Sequence, residues 1–301
     1  MKIKNIWNNS YSKENIKKIF EETRISPLWI DMEFWLLDTL NIINSYLDDL
    51  YFKGGTCIKS YLPSNEQRFS NDLDFNAAHE RDFVIGQIEK LNYKLSEMGF
   101  SKGDIGIFKF GFHDTITGTL TFYRFVPGLL VEKRKYRELE SPFRGHKIKV
   151  QINVKHKDFP CLKSGLITCN SFLLDFVKPD VMIKANAVSI EDLIADKVLA
   201  SAKHEDILSG RSKFKDVVDL YLLFKNFNIN KEVVKRKIIT IYSDSDRDKF
   251  LNASSHNILN MGRESERIKG FSILLHEDVK YITDNWAESC AHVSENINDL
   301  I

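Results

Sequence analysis

Hydrophobic and polar residues follow two different periods in the two parts of the chain. Between residues 105 and 154, the segments GIFKFGFHD, TGTLTFYRFV and HKIKVQINVK alternate apolar and polar positions, which predicts β-strands separated by turns. After about residue 188, apolar residues recur at helical spacing in SIEDLIADKVLASAKH, KFKDVVDLYLLFKN and NKEVVKRKIITIYSD. Ser189 and Asp192 have the spacing of a helix-capping pair. The pattern predicts a sheet-containing domain followed by a helical domain.

Helices are also predicted in the sheet-containing part. Residues 10–24 include the helical pattern SKENIKKIFEET with Ser12 as its N-cap, and Pro27 separates it from the longer apolar helix DMEFWLLDTLNIINSYLDD. Another helix is predicted near residues 79–98. The predicted fold is therefore α+β. A mixed sheet with flanking helices occupies residues 1–180, and a helical domain that contributes to the site occupies residues 181–301, with the boundary near residues 175–188.

Composition and charge narrow the class of protein. The chain has 301 residues, of which 43% are hydrophobic, and its 43 Lys and Arg nearly balance its 42 Asp and Glu. The net charge therefore produces no overall electrostatic attraction to nucleic acid or membrane, and any such contact must come from a local patch of basic residues. Four cysteines without metal-ligand spacing, no signal-peptide pattern and no apolar run of membrane-spanning length predict a cytoplasmic protein that avoids the membrane. We expect a monomer.

Two acids lie one residue apart in RFSNDLDF, which reads as a short strand. Asp72 and Asp74 share one face of that strand, while Leu73 and Phe75 point to the other. Same-face neighbours lie about 7 Å apart, so the two carboxylates can converge on one or two cations. Such oxygen ligands suit Mg²⁺, which also takes oxygens from substrate phosphates. The alternative is a half-exposed strand whose two acids are simply solvated.

A glycine pair precedes this strand in KGGT. Lys53, Gly54, Gly55 and Thr56 place two residues without side chains just before a predicted helix. The free backbone N–H groups at the start of a helix favour phosphate, and Thr56 adds a hydroxyl. A glycine pair alone is most often a turn, but followed by two paired acids it is more specific for a nucleotide site.

With these residues the chain resembles a known family. The run FKGGTCIKSYL followed by RFSNDLDF is similar to the signature of the AbiEii/AbiGii-type abortive-infection toxin nucleotidyltransferases, in the DNA polymerase β-like nucleotidyltransferase superfamily. The resemblance implies a nucleotide-phosphate turn at Gly55 and Thr56 and metal ligands at Asp72 and Asp74. Ser70 matches the family's motif serine, which faces the same site, so the resemblance implies that Ser70 also contacts the nucleotide. Arg68 matches the arginine that opens this motif.

The resemblance extends to a second segment, EDLIADKVLASAKHEDILSGRSKFKDVVDLYLL. Lys197 matches a family lysine, and Asp216 and Asp219 match two family acids that share a helix face. Lys197 can lay its stem on apolar neighbours and extend its ammonium toward a nucleotide phosphate, while one of the acids could serve as a general base. The alternative is an interhelical salt bridge without a role in chemistry.

Two features depart from the family's pattern. Polymerase β-like enzymes usually have a third carboxylate on a neighbouring strand, where this chain offers Gln151 and Asn153. An acidic-Lys-Asp-aromatic run common near the N-terminus is replaced by DMEF, which keeps the aromatic Phe34 but lacks the lysine. The resemblance covers roughly residues 26–225, and the last 75 residues match only in being helical.

The predicted function is metal-dependent transfer of a nucleoside monophosphate from an NTP, with Mg²⁺ or Mn²⁺ as cofactor. The resemblance implies a tRNA 3′ end as acceptor and a toxin with a cognate antitoxin that is a DNA-binding repressor, as in abortive-infection defence against phage. An RNA-binding surface is predicted from a set of basic residues: Arg211, Lys213, Lys215, Lys235 and Arg236. The alternatives are a non-catalytic nucleotide-binding partner protein and an enzyme that modifies a small-molecule or protein hydroxyl.

Overall fold

The computed structural model describes residues 10–47, 49–97, 109–110, 115–122, 146–154, 164–179, 182–202, 211–241, 244–264, 268, 272 and 274–301. The first elements in chain order are α1 (Lys13–Thr23), α2 (Pro27–Tyr46), β1 (Leu50–Lys53), α3 (Gly54–Tyr61), β2 (Asp72–Ala77), α4 (Arg81–Glu97), β3 (Lys109–Phe110), β4 (Thr115–Phe122), β5 (His146–Asn153), β6 (Ser164–Thr168) and β7 (Lys184–Val188). Helices follow: α5 (Ile190–Ala202), α6 (Arg211–Asn226), α7 (Lys231–Ile241), α8 (Asp244–Met261), α9 (Tyr281–Asp284) and α10 (Trp286–Asn298).

Two predicted helix-capping residues are confirmed. Ser12 caps α1 by accepting a hydrogen bond of 3.1 Å from the backbone N–H of Asn15. Ser189 likewise accepts from the backbone N–H of Asp192 at the start of α5, at 3.2 Å. These bonds satisfy N–H groups that have no partner within their own helix, so local sequence alone sets both starting points.

The described part of the sheet has seven strands in the order β3-β4-β5-β2-β1-β7-β6. β2 and β5 are parallel, whereas β4 is antiparallel to both β3 and β5, so the sheet is mixed and the fold is α+β, as predicted. β6 and β7 were not predicted from the pattern. Their sequences, SGLIT and KANAV, are short and use small residues where strands usually carry large β-branched or aromatic ones.

The chain packs into two compact units whose sequence segments interleave. The first takes its described residues from Met1–Phe52, Ser70–Lys155 and Leu166–Asn186, and the second from Lys53–Phe69, His156–Gly165 and Ala187–Ile301. The segment Lys53–Phe69 therefore groups with the helices, although a division at residue 180 would place it with the sheet. The reason is that α3 packs against α5 and α6.

The first unit is built on a sheet with one apolar and one polar face at its centre. Burial alternates along β2, where Leu73 and Phe75 are fully buried and the residues between them are half-buried. The parallel neighbour β5 repeats the pattern, with its apolar side chains buried: Ile148, Val150 and Ile152. α2 packs against both strands. The burial of one face leaves the other face available for polar chemistry.

The DMEF segment lies within α2 and belongs to the core of the first unit. Phe34 is buried, and the Glu33 carboxylate is 1% exposed and accepts a 2.6 Å hydrogen bond from Ser171. Asp31 accepts a bond of the same length from the Tyr11 hydroxyl. Since a buried carboxylate needs such partners, these acids stabilise the packing of α2.

Three of the four cysteines lie within the described residues. Cys57, Cys169 and Cys290 are buried free thiols, and burial raises the pKa of Cys290; Cys161 lies outside the described residues. Across the part of the chain that the structure describes, every helix is too short or too polar to cross a bilayer.

The central strand supplies a stability prediction. Phe75 is fully buried and its ring centroid lies 5.4 Å from that of Phe52. We expect Phe75→Ala to lower the free energy of unfolding by about 3–5 kcal/mol, because it leaves a cavity. Asn76→Ala, on the half-buried face of the same strand, should change it by no more than about 0.5 kcal/mol. Urea unfolding checks both, and equal losses would contradict the assignment of the two faces.

Candidate functional site

The paired aspartates lie on the polar face of β2, as the strand pattern predicts. Asp72 and Asp74 are both half-buried, and the buried Leu73 between them points to the opposite face. The Ser70 hydroxyl is buried and donates a 2.6 Å hydrogen bond to Oδ1 of Asp72. Ser70 therefore restricts the orientation of one carboxylate, while its contact with a nucleotide stays a prediction.

The neighbouring strand β5 places neutral and basic residues beside the two acids. The Cα of Gln151 is in register with that of Asp74, and the Cα of Lys149 is in register with that of Asp72. The exposed Lys149 ammonium donates a 3.1 Å hydrogen bond to Oε1 of Gln151. Gln151 thus occupies the position beside the acid pair where a third strand carboxylate was expected, and Asn153 lies two residue pairs further along, in register with Asn76.

The donor set on β2 fits a magnesium ion that is shared with a substrate. Within the described residues, no three His, Cys, Asp or Glu side chains come together in a way that could hold a metal by themselves. Mg²⁺ is usually bound by one or two carboxylates, completed by waters and phosphate oxygens. Asp72 and Asp74 provide two such carboxylates on one face. They suit an ion that arrives with a nucleotide better than a permanent all-protein site.

The KGGT segment forms the junction of β1 and α3. Gly54 has a φ of 76°, a left-handed conformation that side-chain-bearing residues rarely adopt, and this accounts for the first glycine. Thr56 is fully buried in the first turn of α3. Lys53 lies 3.6 Å from the Asp196 carboxylate of α5. The helix starts two residues earlier than the sequence suggested, so its first N–H groups belong to the glycines.

Lys197 is the cationic centre of the second unit. Its ammonium forms a short hydrogen bond with Asp216 and lies 2.9 Å from Oδ2 of Asp219, so it bridges the two acids of α6 from α5. Burial alone would lower the pKa of Lys197, but the carboxylates of Asp219 and Asp216 outweigh it and raise that pKa. Lys197 therefore stays protonated and acts as a fixed positive charge, not as a base.

Asp219 is held by a second cation, Arg68. The guanidinium donates from Nε to Oδ1 at 2.5 Å and from Nη2 to Oδ2 at 2.8 Å, and both side chains are almost fully buried. Burial would raise the pKa of Asp219, yet Arg68 and Lys197 lower it below the ordinary value. A carboxylate so paired is a poor general base, and the more exposed Asp216 is the better of the two candidates. We call Arg68, Lys197, Asp216 and Asp219 the charge network.

The predicted RNA-contacting residues lie on α6 and α7: Arg211, Lys213, Lys215, Lys235 and Arg236. The side chains of Arg211 and Lys213 are outside the described residues, and Lys215 is half-buried. On α7, Lys235 lies 3.4 Å from Glu232 and Arg236 is exposed. Lys237 of the same helix is buried and bonds to Asp192 at 2.7 Å, so it supports packing instead of a basic surface.

The structure also shows functional candidates that the sequence did not reveal. The pairing of Arg68 with Asp219 joins residues 151 positions apart, and the approach of Lys53 to Asp196 joins β1 to α5. Lys149 beside Asp72 could have been found from the strand alternation, because it shares a face with Gln151 and Asn153. The two ion pairs carry no local signal, since charge alone does not name a partner.

A mixed sheet with paired aspartates on a central strand, whose neighbouring strand leads into a glycine turn and a helix, is the arrangement of a nucleotidyltransferase. Residues 35–299 match the model of the family described as "Nucleotidyl transferase AbiEii toxin, Type IV TA system". The chain belongs to this family of nucleotidyltransferase toxins. The match spans most of both units and includes the candidate residues of each, from Lys53 to Asp219.

A solved structure with a similar fold is known at low sequence identity. MenT4, a nucleotidyltransferase toxin from Mycobacterium tuberculosis, is similar with a TM-score of 0.56 and 14% identity, over 96% of this chain and 90% of that chain. JHP933 from Helicobacter pylori gives a TM-score of 0.45 and 15% identity, over 91% of this chain and 95% of that chain. No curated protein matches the chain significantly.

The lowered pKa of Asp219 gives a pH-dependent prediction. We expect Asp219→Asn to lower the free energy of unfolding by about 3–5 kcal/mol at neutral pH, because Arg68 and Lys197 lose a buried counter-charge. A lowered folded pKa contributes stability above the ordinary value of 3.8, and this is lost as the pH falls through the folded value. Chemical unfolding should therefore show a constant deficit from about pH 5 to about pH 9, which shrinks below about pH 4.

The exposed Asp284 provides the matched control, since Asp284→Asn should change stability little at any pH. A deficit of Asp219→Asn that grows as the pH falls below 4 would have the wrong sign for a paired carboxylate.

Proposed function

We propose that this nucleotidyltransferase is a metal-dependent toxin that transfers a nucleoside monophosphate from an NTP to an RNA acceptor, the tRNA 3′ end. The observation that carries the proposal is the pair Asp72 and Asp74 on the polar face of β2, half-buried and with Ser70 orienting one carboxylate. Family membership supports the nucleotidyl transfer and the toxin–antitoxin context. The metal, the acceptor and a role in defence against phage are parts of the proposal.

The transfer is a displacement at the α-phosphorus of the NTP. The acceptor hydroxyl oxygen forms a bond to that phosphorus, the bond from phosphorus to the oxygen bridging to the β-phosphate breaks, and pyrophosphate leaves with the electron pair. The hydroxyl proton passes to a carboxylate, a role that we assign to Asp216. A bound Mg²⁺ or Mn²⁺ would stabilise the negative charge that develops on the phosphate oxygens.

Other residues of this chain are assigned to binding the metal ion and the nucleotide phosphates. Asp72 and Asp74 would hold the cation that accompanies the triphosphate, and the N–H groups of Gly54 and Gly55 at the start of α3 would bind phosphate oxygens. Lys197, kept protonated by its two acidic partners, would offset phosphate charge. Lys53 and Thr56 are assigned to the same nucleotide-binding segment, although the Thr56 side chain is buried and so would act through its backbone.

The proposal of an RNA acceptor rests on the resemblance to the family and on one basic surface. α7 exposes Lys231 and Arg236, while the protein as a whole is nearly neutral. Phosphate contacts on a neutral protein require such a local group of cations. The family context adds an antitoxin encoded with the toxin, which the resemblance identifies as a DNA-binding repressor.

Labelled NTPs test the proposal directly. The protein is incubated with total tRNA, Mg²⁺ and each α-labelled NTP in turn, and label should appear in tRNA, at its 3′ end. Asp72→Asn should reduce the rate by about 10²–10³-fold, the usual loss when one stabiliser of transition-state charge is removed. Asp284→Asn, an exposed aspartate outside the site, should transfer at the normal rate.

The other functions give different results in the same experiment. Label in protein or in a small molecule, with none in tRNA, would overturn the RNA acceptor and favour modification of another hydroxyl. NTP binding without transfer to anything would favour a non-catalytic nucleotide-binding protein. Normal transfer by Asp72→Asn would contradict the metal-binding role of the pair.

Gln151 provides a gain-of-affinity prediction. Because its Cα is in register with that of Asp74, Gln151→Glu should add a third carboxylate beside the pair and tighten Mn²⁺ binding by about tenfold. Asn153→Asp is the matched control, since it adds the same charge two residue pairs further along β5 and should have a smaller effect. Mn²⁺ titration followed by electron paramagnetic resonance measures both, and equal changes would indicate a general charge effect.

A further inference from the structure

The second glycine of KGGT lies directly against the guanidinium of Arg68. A Cβ atom added at Gly55 would be 1.9 Å from Nη2 of Arg68, 2.9 Å from its Cζ and 3.3 Å from its Nη1. These are the three nearest heavy atoms, so one side chain accounts for the closest contacts. No φ in the left-handed region is recorded for Gly55, in contrast to Gly54. Backbone conformation therefore does not explain the second glycine, but the close approach of Arg68 does.

Arg68 cannot easily move away from Gly55. Its side chain is 6% exposed, makes two hydrogen bonds to Asp219, and donates a third from Nη1 to the carbonyl oxygen of Phe69 at 3.2 Å. The backbone around Arg68 is also held, because Phe69 N–H donates to the carbonyl of Leu274 at 2.7 Å and His276 N–H donates to that of Gln67 at 3.1 Å. Because the guanidinium is held in this way, it fixes the position of the backbone that packs against it, which is that of Gly55.

We propose that Arg68 is a positioning residue that sets the start of α3 relative to Lys197, and that position 55 is a glycine in order to admit its guanidinium. The contacts run from Gly55 to Arg68, from Arg68 to Asp219, and from Asp219 to Lys197. They join α3, α6 and α5 within the second unit. The consequence for catalysis rests on the proposed function, in which the N–H groups of α3 and the Lys197 ammonium both bind phosphate.

The competing explanation is that position 55 lacks a side chain so that phosphate can approach its backbone. The two explanations differ in whether Gly55 and Arg68 are coupled. If position 55 is a glycine to make room for Arg68, then Gly55→Ala lowers Tm only while the guanidinium is present. If it is a glycine to let phosphate approach, then Gly55→Ala has the same effect on Tm whatever residue stands at position 68.

A double-mutant cycle in the full chain tests the coupling through thermal unfolding. Gly55→Ala alone should lower Tm by about 3–10 °C, as expected for overpacking in a chain of this size. In the background Arg68→Ala/Asp219→Asn, which removes one charge of each sign, Gly55→Ala should change Tm by less than about 2 °C. Gly86→Ala is the control, because a Cβ at this helical glycine of α4 meets no atom within 4 Å and should not lower Tm.

A second variant keeps the test decisive if that background does not fold. Arg68→Lys removes the fork atoms that lie closest to Gly55, so Gly55→Ala should lower Tm by less in the Arg68→Lys background than in the unmodified chain. Comparing the two proteins within each background cancels the stability that Arg68→Lys itself loses with the paired hydrogen bonds to Asp219. Equal effects of Gly55→Ala in every background would overturn the proposal.

Kinetics separate positioning from a purely structural role. Arg68→Lys should lower kcat for nucleotide transfer by 10-fold or more, because small displacements of catalytic groups are costly, while KM for the NTP changes by less than about threefold. Unchanged kcat together with the expected coupling in Tm would overturn positioning for catalysis and leave a stability role. Absence of transfer by the unmodified protein would count against the proposed function, whereas the unfolding cycle would still decide whether Gly55 serves Arg68.

Discussion

The buried pair of Arg68 and Asp219 is the interaction on which the second unit depends most. Removing either charge from water costs several kcal/mol, and only a partner with good geometry offsets that cost. The two parallel hydrogen bonds between the guanidinium and the carboxylate provide this geometry, and Lys197 supplies a further contact to the same carboxylate. The structure therefore cannot keep one member without the others. Segments far apart in the sequence are held together by this requirement.

The first unit has a different requirement, which concerns the two faces of its sheet. Its central strands must bury one face against α2 and still present carboxylates on the other, and strict alternation along β2 and β5 does both. A shift of the register by one residue would exchange Leu73 and Asp74 between core and polar face, so the core itself enforces the orientation of the acids. Ser70 then limits the rotation of Asp72. The acid pair is thus oriented by packing and by one hydrogen bond.

Much of this could be predicted from the sequence because it is local. The alternation of LDF, the serine caps of α1 and α5, and the glycine turn each depend on neighbouring residues, and the structure confirms them. The partner of Arg68 could not be predicted, because many acids could pair with one arginine and only the packed fold selects among them. The two small-residue strands β6 and β7 were missed because their pairing comes from their neighbours and not from their own propensity. The family motifs named the candidate residues of both units, and the structure adds the contacts that these side chains make, which the motifs did not give.

The pairing of Lys53 with Asp196, and of Lys197 with two acids, has a consequence for how the second unit meets a ligand. Together with Arg68, these side chains form an electroneutral group of three cations and three anions. Within this group, an arriving triphosphate would meet cations that are already paired and would have to compete with their carboxylate partners. Binding would then be an exchange of one anion for another. Such exchange favours ligands with several phosphate oxygens over those with one, so discrimination would begin before any base or sugar is recognised.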